Sequence, residues 1–249
     1  MMLATMLAMT MAQGSWRMVW RDEFNGTGRP DPKRWTYEKG FVRNQEVQYY
    51  TVDRPENARV ENGKLVIEAR KDNFEGHPIS SASLTTQGRA SWTYGRIEVR
   101  AKIPTGRGAW PAIWMLGTGG RWPQDGEIDI MEAVGHEKDK SFFTVHSTKL
   151  DGTGHEGYGG STPLPNSGAG FHTYAIEWSP EQIQWKLDGK LVHTYAKADP
   201  RGVAWVFDKP QYLILNLAIG GSWGGQQGID ESIYPSRFEV DYVRVYQKK

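Results

Sequence analysis

No stretch of this chain keeps a 3.6-residue apolar repeat for more than about ten residues. Short runs rich in β-branched and aromatic residues recur instead, separated by Gly, Pro, Asn and Asp. The segment GRIEVRAKIP alternates strictly, with Ile97, Val99, Ala101 and Ile103 on one side and mostly charged residues on the other. A strand that buries one face has this period of two. The pattern predicts an all-β fold, an antiparallel sandwich or barrel.

Charge and cysteine content exclude several classes of function. The formal net charge is +1 with no long basic run, so we expect no nucleic-acid partner and no membrane partner. The chain has no cysteine, which excludes a disulfide, a thiol nucleophile and a cysteine metal site. Some of the 11 tryptophans must belong to the core, but so many large flat rings also suit a surface that binds the flat apolar faces of sugars.

The organisation of the chain is simple apart from its first residues. Residues 1–12 are apolar and too short to span a bilayer, and small residues precede a possible cleavage site before Gln13. They predict a secretory signal or its remnant, and hence a secreted protein, although the basic start of such a signal is missing. An ordered structural segment is the alternative. Residues 13–249 contain no repeat or linker, so we expect one domain and a monomer.

Turn residues give more local predictions. In QIQWKLDGKLV, Asp188 and Gly189 suit a two-residue hairpin turn, which would place Trp185 opposite Val192. Three longer segments, 73–80, 117–124 and 151–170, read as loops. Loops of this length in a compact sandwich are often functional.

Three carboxylates stand in the strand-like segment GEIDIMEAVG. Glu127 and Asp129 share a face, but Glu132 follows Glu127 by an odd step and would face the other way in a regular strand. The adjacent apolar residues Ile130 and Met131 break the alternation. A β-bulge there would return Glu132 to the face of the other two acids.

The three acids alone leave several interpretations open. They could face solvent on an exposed sheet, or form a calcium site, although the dense oxygen ligands of a calcium loop are missing. Two carboxylates about 5–5.5 Å apart are also the apparatus of a retaining glycosidase. At ~5.5 Å and an effective dielectric of ~20, like charges repel by roughly 3 kcal/mol. This repulsion would keep one Glu protonated near neutral pH, as an acid catalyst requires.

Longer motifs resemble glycoside hydrolase family 16, in the bulged form of its laminarinases. From about Trp20 onward they include WRDEFNG, NQEVQYYT, ENGKLVIEAR, DGEIDIMEAVG, TVHS, LNLAIGGSWGG and FEVDYVRVY. The resemblance implies a curved antiparallel β-sandwich (jelly roll) with a concave substrate cleft. It also implies a retaining endo-β-1,3-glucanase that binds β-glucan polysaccharide and needs no cofactor for catalysis.

The same resemblance assigns roles to individual residues. Glu127 matches the nucleophile, Glu132 the acid/base, and Asp129 a residue that orients the nucleophile. Trp110 and Trp114, four apart on one strand face, would stack on sugar rings, although such a pair by itself is more often part of a core. The full set of implied substrate-binding residues is Asn44, Glu46, Arg89, Trp110, Trp114, His146 and Trp223.

A structural calcium ion on the convex side is a further implication of the resemblance. Its matching positions are Glu23, Gly63 and Asp241, where backbone carbonyls supply most ligands.

Two other functions stay open from the sequence. The first is a mixed-linkage β-1,3-1,4-glucanase, because the acids do not distinguish linkages. The second is a non-catalytic β-glucan lectin. A binder gains nothing from two repelling acids, which argues against the lectin.

Overall fold

The computed structural model describes residues 15–249, and the predicted signal at 1–12 lies outside the described residues. Strands make up most of the fold. They are β1 Trp16–Asp22, β2 Thr36–Tyr37, β3 Tyr49–Tyr50, β4 Ala58–Glu61, β5 Lys64–Phe74, β6 His77–Ser81, β7 Ser83–Thr85, β8 Gly95–Lys102, β9 Ala109–Gly117, β10 Glu127–Glu132, β11 Lys140–Thr148, β12 His155–Pro163, β13 His172–Trp178, β14 Gln182–Leu187, β15 Lys190–Ala196, β16 Gln211–Ile219 and β17 Ser236–Lys248. A short helix, α1 Gly221–Gly224, and a 3-10 helix, Glu231–Ile233, follow β16.

The strands form two sheets. The ten-stranded sheet has the order β15-β14-β13-β8-β17-β5-β6-β3, with β1 paired to β17 and β4 paired to β5. The seven-stranded sheet has the order β12-β11-β10-β9-β16-β7-β2. Within residues 15–249, β3 and β6 form the one parallel strand pair. The prediction of an all-β, antiparallel sandwich is confirmed. No helix of these residues has the length and apolar character needed to cross a membrane.

The core lies between the two sheets. The alternating residues of β8 behave as predicted, since Ile97, Val99 and Ala101 are fully buried in it. Strand β16 is buried along its whole length, although its side chains alternate faces. Its odd-numbered residues, such as Leu213 and Leu215, pack in the core between the sheets. Its even-numbered residues lie on the other face of the seven-stranded sheet, which must therefore also be covered.

Two local predictions need correction. The Asp188–Gly189 turn forms, but a register shift next to Trp185 pairs it with His193 instead of Val192. Residues 151–170 contain strand β12 rather than one long loop. The strand was missed because its sequence, HEGYGGSTP, has no apolar alternation. Its glycines are required by close packing: a Cβ at Gly159 would lie 2.0 Å from a backbone oxygen of β11.

Of the other two predicted loops, one is mostly strand and the other is a loop. The segment 73–80 is mostly the β5–β6 hairpin. Residues 118–124 do form the connection between β9 and β10.

Candidate active site

A cavity of about 560 Å³ lies on the outer face of the seven-stranded sheet. Its lining comes from strands β9, β10, β11, β12 and β16, from the loop before β3, from the β9–β10 connection and from helix α1. The lining residues are Arg43, Asn44, Glu46, Trp110, Ala112, Trp114, Leu116, Trp122, Glu127, Glu132, Thr144, His146, His155, Asn216 and Trp223. Side chains cover the second face of β16 at the floor of the cavity: Asn216 is hydrogen-bonded to Trp114 and Tyr50, and Arg43 lies over the Trp114 ring.

The predicted bulge in β10 exists. Along β9, Glu127 pairs with Leu116 and Asp129 with Trp114, but the next pair skips Ile130. Beyond the skip, Glu132 pairs with Ala112. Paired residues of neighbouring strands share a face. Since Leu116, Trp114 and Ala112 all line the cavity, the skipped residue is what returns Glu132 to the cleft face.

Contacts in the core between the two sheets stabilise the bulge. Ile130 and Met131 are both buried in the core. Trp185 of β14, in the opposite sheet, donates its indole N–H to the backbone carbonyl of Asp129 at 2.8 Å. The bulge is therefore fixed by the packing of the two sheets as well as by its own strand.

Each glutamate receives a hydrogen bond from a tryptophan. Trp122 donates Nε1–H to Oε2 of Glu127 at 2.6 Å, and Trp110 donates Nε1–H to Oε1 of Glu132 at 3.0 Å. Such bonds stabilise the ionised carboxylate and fix which oxygen stays free.

The surrounding protein opposes ionisation of all three acids. Burial is the main cause that raises the pKa of Glu127 to about 8, and the charge of Asp129 adds to it. Burial likewise raises the pKa of Glu132 to about 7, against the hydrogen bond from Trp110. Burial and the charge of Glu132 also raise the pKa of Asp129. Loss of water around the three acids thus raises their pKa values more than does the mutual repulsion that the sequence suggested.

His146 connects Asp129 to a second histidine. Its Nε2 lies 3.2 Å from Oδ2 of Asp129, and its Nδ1 lies 2.9 Å from Nε2 of His155. If His155 donates to Nδ1, the proton of a neutral His146 stays on Nε2 and points at Asp129. The ring of His155 also packs against Trp122, with centroids 4.4 Å apart.

The structure changes the interpretation of Trp110 and Trp114. Both line the cleft, but they are only 7% and 6% exposed. Trp114 donates Nε1–H to Asn216 at 2.7 Å, and the Arg43 guanidinium lies 4.8 Å above its ring. Little of either ring is free to stack on a sugar. Trp122, at 52% exposed, offers the larger open aromatic surface.

Glu46 is held in a network of hydrogen bonds. It accepts from Gln48 at 2.7 Å, from Tyr50 at 3.2 Å and from Asn44 at 3.3 Å. Burial raises its pKa despite these donors. Trp223 of α1 packs edge-on against Trp110, with centroids 5.5 Å apart. These predicted residues therefore do lie together in the cleft.

Arg89 is not brought into the site. It lies in an exposed turn after β7 and is absent from the cleft lining.

The predicted calcium residues Glu23 and Asp241 have their carboxylates engaged by arginines. Arg244 binds Glu23 through two N–H groups at 2.8 and 2.9 Å, and Arg100 pairs with Asp241. Within residues 15–249, the group of acids and histidines close enough to hold a metal consists of Glu127, Asp129 and His146.

Sequence reasoning missed several residues of the cleft. Arg43, Trp122, Thr144, His155 and Asn216 line it without having been predicted. Trp122 had a signal, because it stands in an aromatic, glycine-rich flank of the acid strand. Asn216 had none, since its role depends on contacts with distant strands.

Comparison with known proteins agrees with this geometry. The family model described as glycosyl hydrolases family 16 matches residues 45–244. A β-glucanase from Rhodothermus marinus is 49% identical over 244 residues, which is 93% of this chain and 85% of that protein.

Solved structures of the same kind superpose closely. The laminarinase from Rhodothermus marinus has a TM-score of 0.89 and 47% identity, covering 96% of this chain and all of that one. A non-specific endo-β-1,3(4)-glucanase, solved with 1,3-β-D-cellobiosyl-glucose at its active site, has a TM-score of 0.85 and 44% identity, over 94% of this chain and 95% of that one. This chain belongs to the glycosyl hydrolases family 16.

Proposed function

We propose that the chain is a retaining endo-β-1,3-glucanase that hydrolyses laminarin-like β-glucan. The observation that carries the proposal is the register of β10, which places Glu127, Asp129 and Glu132 on the cleft face. The relatives named above, a β-glucanase and a laminarinase that match nearly the whole chain, support the substrate class.

In the first step Glu132 acts as acid and Glu127 as nucleophile. Glu132 gives its proton to the oxygen that leaves, and the bond from that oxygen to the anomeric carbon breaks. The free oxygen of Glu127 forms a bond to the same carbon, which yields a glycosyl-enzyme. Trp122 holds Oε2 of Glu127, which leaves Oε1 for this attack.

The second step reverses the roles. Glu132, now ionised, takes a proton from water, and the water oxygen attacks the anomeric carbon. The bond to Glu127 breaks and releases its carboxylate, so the product keeps the β configuration. Esterification has meanwhile removed one negative charge beside Glu132. Its pKa therefore falls as its role changes from acid to base.

The proton must lie on Glu132 when the first step begins. In the free protein burial raises the pKa of both glutamates, so the proton is not confined to Glu132. The leaving oxygen of a bound glucan accepts a hydrogen bond from protonated Glu132. The glucan therefore binds preferentially to the protein form in which Glu132 carries the proton. Donation from Trp122 stabilises the ionised Glu127 of the same form.

Substitution of the two glutamates tests these roles. Glu127→Gln and Glu132→Gln should each be folded but inactive on laminarin. Glu132→Ala should still form a glycosyl-enzyme from an aryl β-glucoside with a good leaving group, because that group needs no acid.

Mass spectrometry should then find the sugar on the peptide that contains Glu127. Exposed Glu75, changed to Gln, is the matched control and should keep full activity. Normal turnover by either cleft variant would refute the assignment, and an α product by NMR would refute retention.

Mixed-linkage activity is the second candidate. The relative solved with 1,3-β-D-cellobiosyl-glucose is a non-specific endo-β-1,3(4)-glucanase and is 44% identical to this chain. A digestion panel of laminarin, lichenan and barley glucan with product sizing decides between one linkage and both. A lectin would release no reducing sugar from any of them.

A structural calcium ion on the convex side is part of the proposal. Ca²⁺ takes about six to eight oxygen ligands. Backbone carbonyls near Glu23, Gly63 and Asp241 must supply most of them, because the two carboxylates are engaged by arginines. If the ion binds, a chelator should lower the melting temperature and added Ca²⁺ should restore it. No change in melting temperature would refute the site.

We also propose a secreted, monomeric enzyme whose residues 13–249 form one catalytic domain. An intact glucan polymer does not cross a cell membrane, so its hydrolase is expected outside. N-terminal sequencing of secreted material that begins near Gln13 would support cleavage. Sedimentation at the mass of one chain would support the monomer.

A further inference from the structure

A partly exposed aromatic patch lies beside the cleft and is not used by the proposed mechanism. Within residues 15–249, four of the nine exposed large apolar side chains fall between residues 41 and 52. The most exposed is Phe41, at 58%. We define the aromatic patch as Phe41, Tyr49, Phe74 and His77. Exposed apolar clusters of this kind commonly mark a binding surface.

The rings of the aromatic patch are already ordered. Tyr49 stacks on His77 with centroids 4.1 Å apart and an interplanar angle of 7°. Phe41 stands edge-on to both rings, at 5.7 Å from Tyr49 and 5.3 Å from His77. A pyranose packs its apolar C–H face on such rings, and rings held in place lose little entropy on binding.

The same loop serves the cleft and the aromatic patch. Asn44 and Glu46 line the cleft, whereas Phe41 and Tyr49 belong to the patch. The two residues of strand β3 face opposite ways. Tyr50 is fully buried and donates a hydrogen bond to Glu46 of the cleft, whereas Tyr49 is only partly buried and belongs to the aromatic patch.

Backbone bonds hold this loop against the end of the cleft. Val47 N–H donates to Ile219 at 3.0 Å, and Ser222 N–H donates to the carbonyl of Asn44 at 2.8 Å. The aromatic patch therefore has a fixed position relative to α1 and the cleft that α1 lines.

Charge indicates what kind of ligand fits. A cation in contact with the patch is Arg54, 4.5 Å above Phe74, and Asp72 pairs with it at 2.8 Å. A balanced pair of this kind favours an uncharged ligand over an anionic polymer or an anionic lipid surface.

We propose that the aromatic patch binds the β-glucan strand where it leaves the cleft, as a further binding site for polymeric substrate. The inference rests on the proposed β-glucanase function. It predicts that the patch contributes to the binding of long glucans and not of oligosaccharides that the cleft alone holds.

The test compares Phe41→Ala and the double variant Phe41→Ala/His77→Ala with the wild type. For each aromatic ring lost, we expect KM on laminarin to rise about two- to tenfold with kcat unchanged. KM on laminaritriose should not change, and loss of the packed rings should lower the melting temperature by only a few degrees. Phe41→Trp should bind laminarin as well as the wild type. Leu191→Ala is the matched control, because Leu191 is 54% exposed on β15 and away from the cleft.

The possible failures are distinguishable. A wild type that cleaves neither substrate refutes the proposed function itself. Active variants with an unchanged KM on laminarin refute the aromatic patch as a glucan site. An equal rise of KM on both substrates also refutes it, because the loop then acts through the cleft. A wild-type dimer that Phe41→Ala dissociates would identify a second copy of the chain as the occupant instead.

Discussion

Replacing Trp185 by Phe tests whether the core holds the bulge that gathers the acids. The indole N–H of Trp185 donates to the carbonyl of Asp129 at 2.8 Å, and both residues are only 1% exposed. Phe keeps an aromatic ring in the core but cannot donate. The carbonyl at the bulge is then left without this partner in a place that water does not reach.

The magnitude follows from that burial. A buried carbonyl left unpaired costs about 1–3 kcal/mol of the free energy of unfolding. For a chain of this size, 1 kcal/mol corresponds to roughly 2–4 °C in melting temperature. We expect the melting temperature to fall by about 2–12 °C. If the bulge relaxes by about 1 Å, the misplacement of Glu132 should lower kcat by up to ~10²-fold.

Trp178→Phe is the matched control. Trp178 is also buried in the ten-stranded sheet and donates Nε1–H to a backbone carbonyl, that of Phe207, at 2.9 Å. It should lose a similar amount of stability and keep its kcat. Thermal unfolding and laminarin turnover, measured well below both melting temperatures, separate the two effects. If Trp185→Phe loses stability but keeps full kcat, the bond does not position the acids.

Three further predictions concern protonation. Trp110→Phe removes the N–H that stabilises ionised Glu132, so the pKa of Glu132 should rise. The basic limb of the kcat/KM profile should then move to higher pH. A basic limb that does not move would contradict this role of the hydrogen bond. The pKa of Asp125 is lowered to about 2, chiefly by hydrogen bonds from neighbouring donors. Its contribution to stability should be present above about pH 4 and lost towards pH 2, so urea unfolding of Asp125→Asn should differ from wild type at pH 6 and converge with it near pH 2. His155→Phe keeps a ring against Trp122 but removes the partner of His146 Nδ1. The tautomer ratio of His146, measured by ¹⁵N NMR, should change, and kcat should fall several-fold. An unchanged tautomer ratio would contradict the contact between the two histidines.

Much of the acid strand could be predicted locally. The alternation around Glu127 and Asp129 identified their common face, and the adjacent apolar residues Ile130 and Met131 predicted the bulge that the strand pairing contains. Both signals lie within a few residues, where the period of a strand leaves few choices.

Residues outside that strand were harder to place. Motif position put Arg89 in the cleft, but the fold leaves it in an exposed turn. Strand β12, which carries His155, was read as a loop because its glycines hide the alternation. Trp110 and Trp114 line the cleft, but little of either ring is exposed for the predicted stacking on sugars.

By itself the sequence determined most of the long strands, which of their side chains share a face, and that three acids could meet on one of those faces. These properties depend on periods of two and on neighbouring residues. Only the tertiary structure decided how far water is removed from Glu127 and Glu132, and which donors reach them. The hydrogen bond from Trp114 to Asn216 joins strands about a hundred residues apart in sequence. Such bonds, and the burial of the acids, exist only once both sheets have formed.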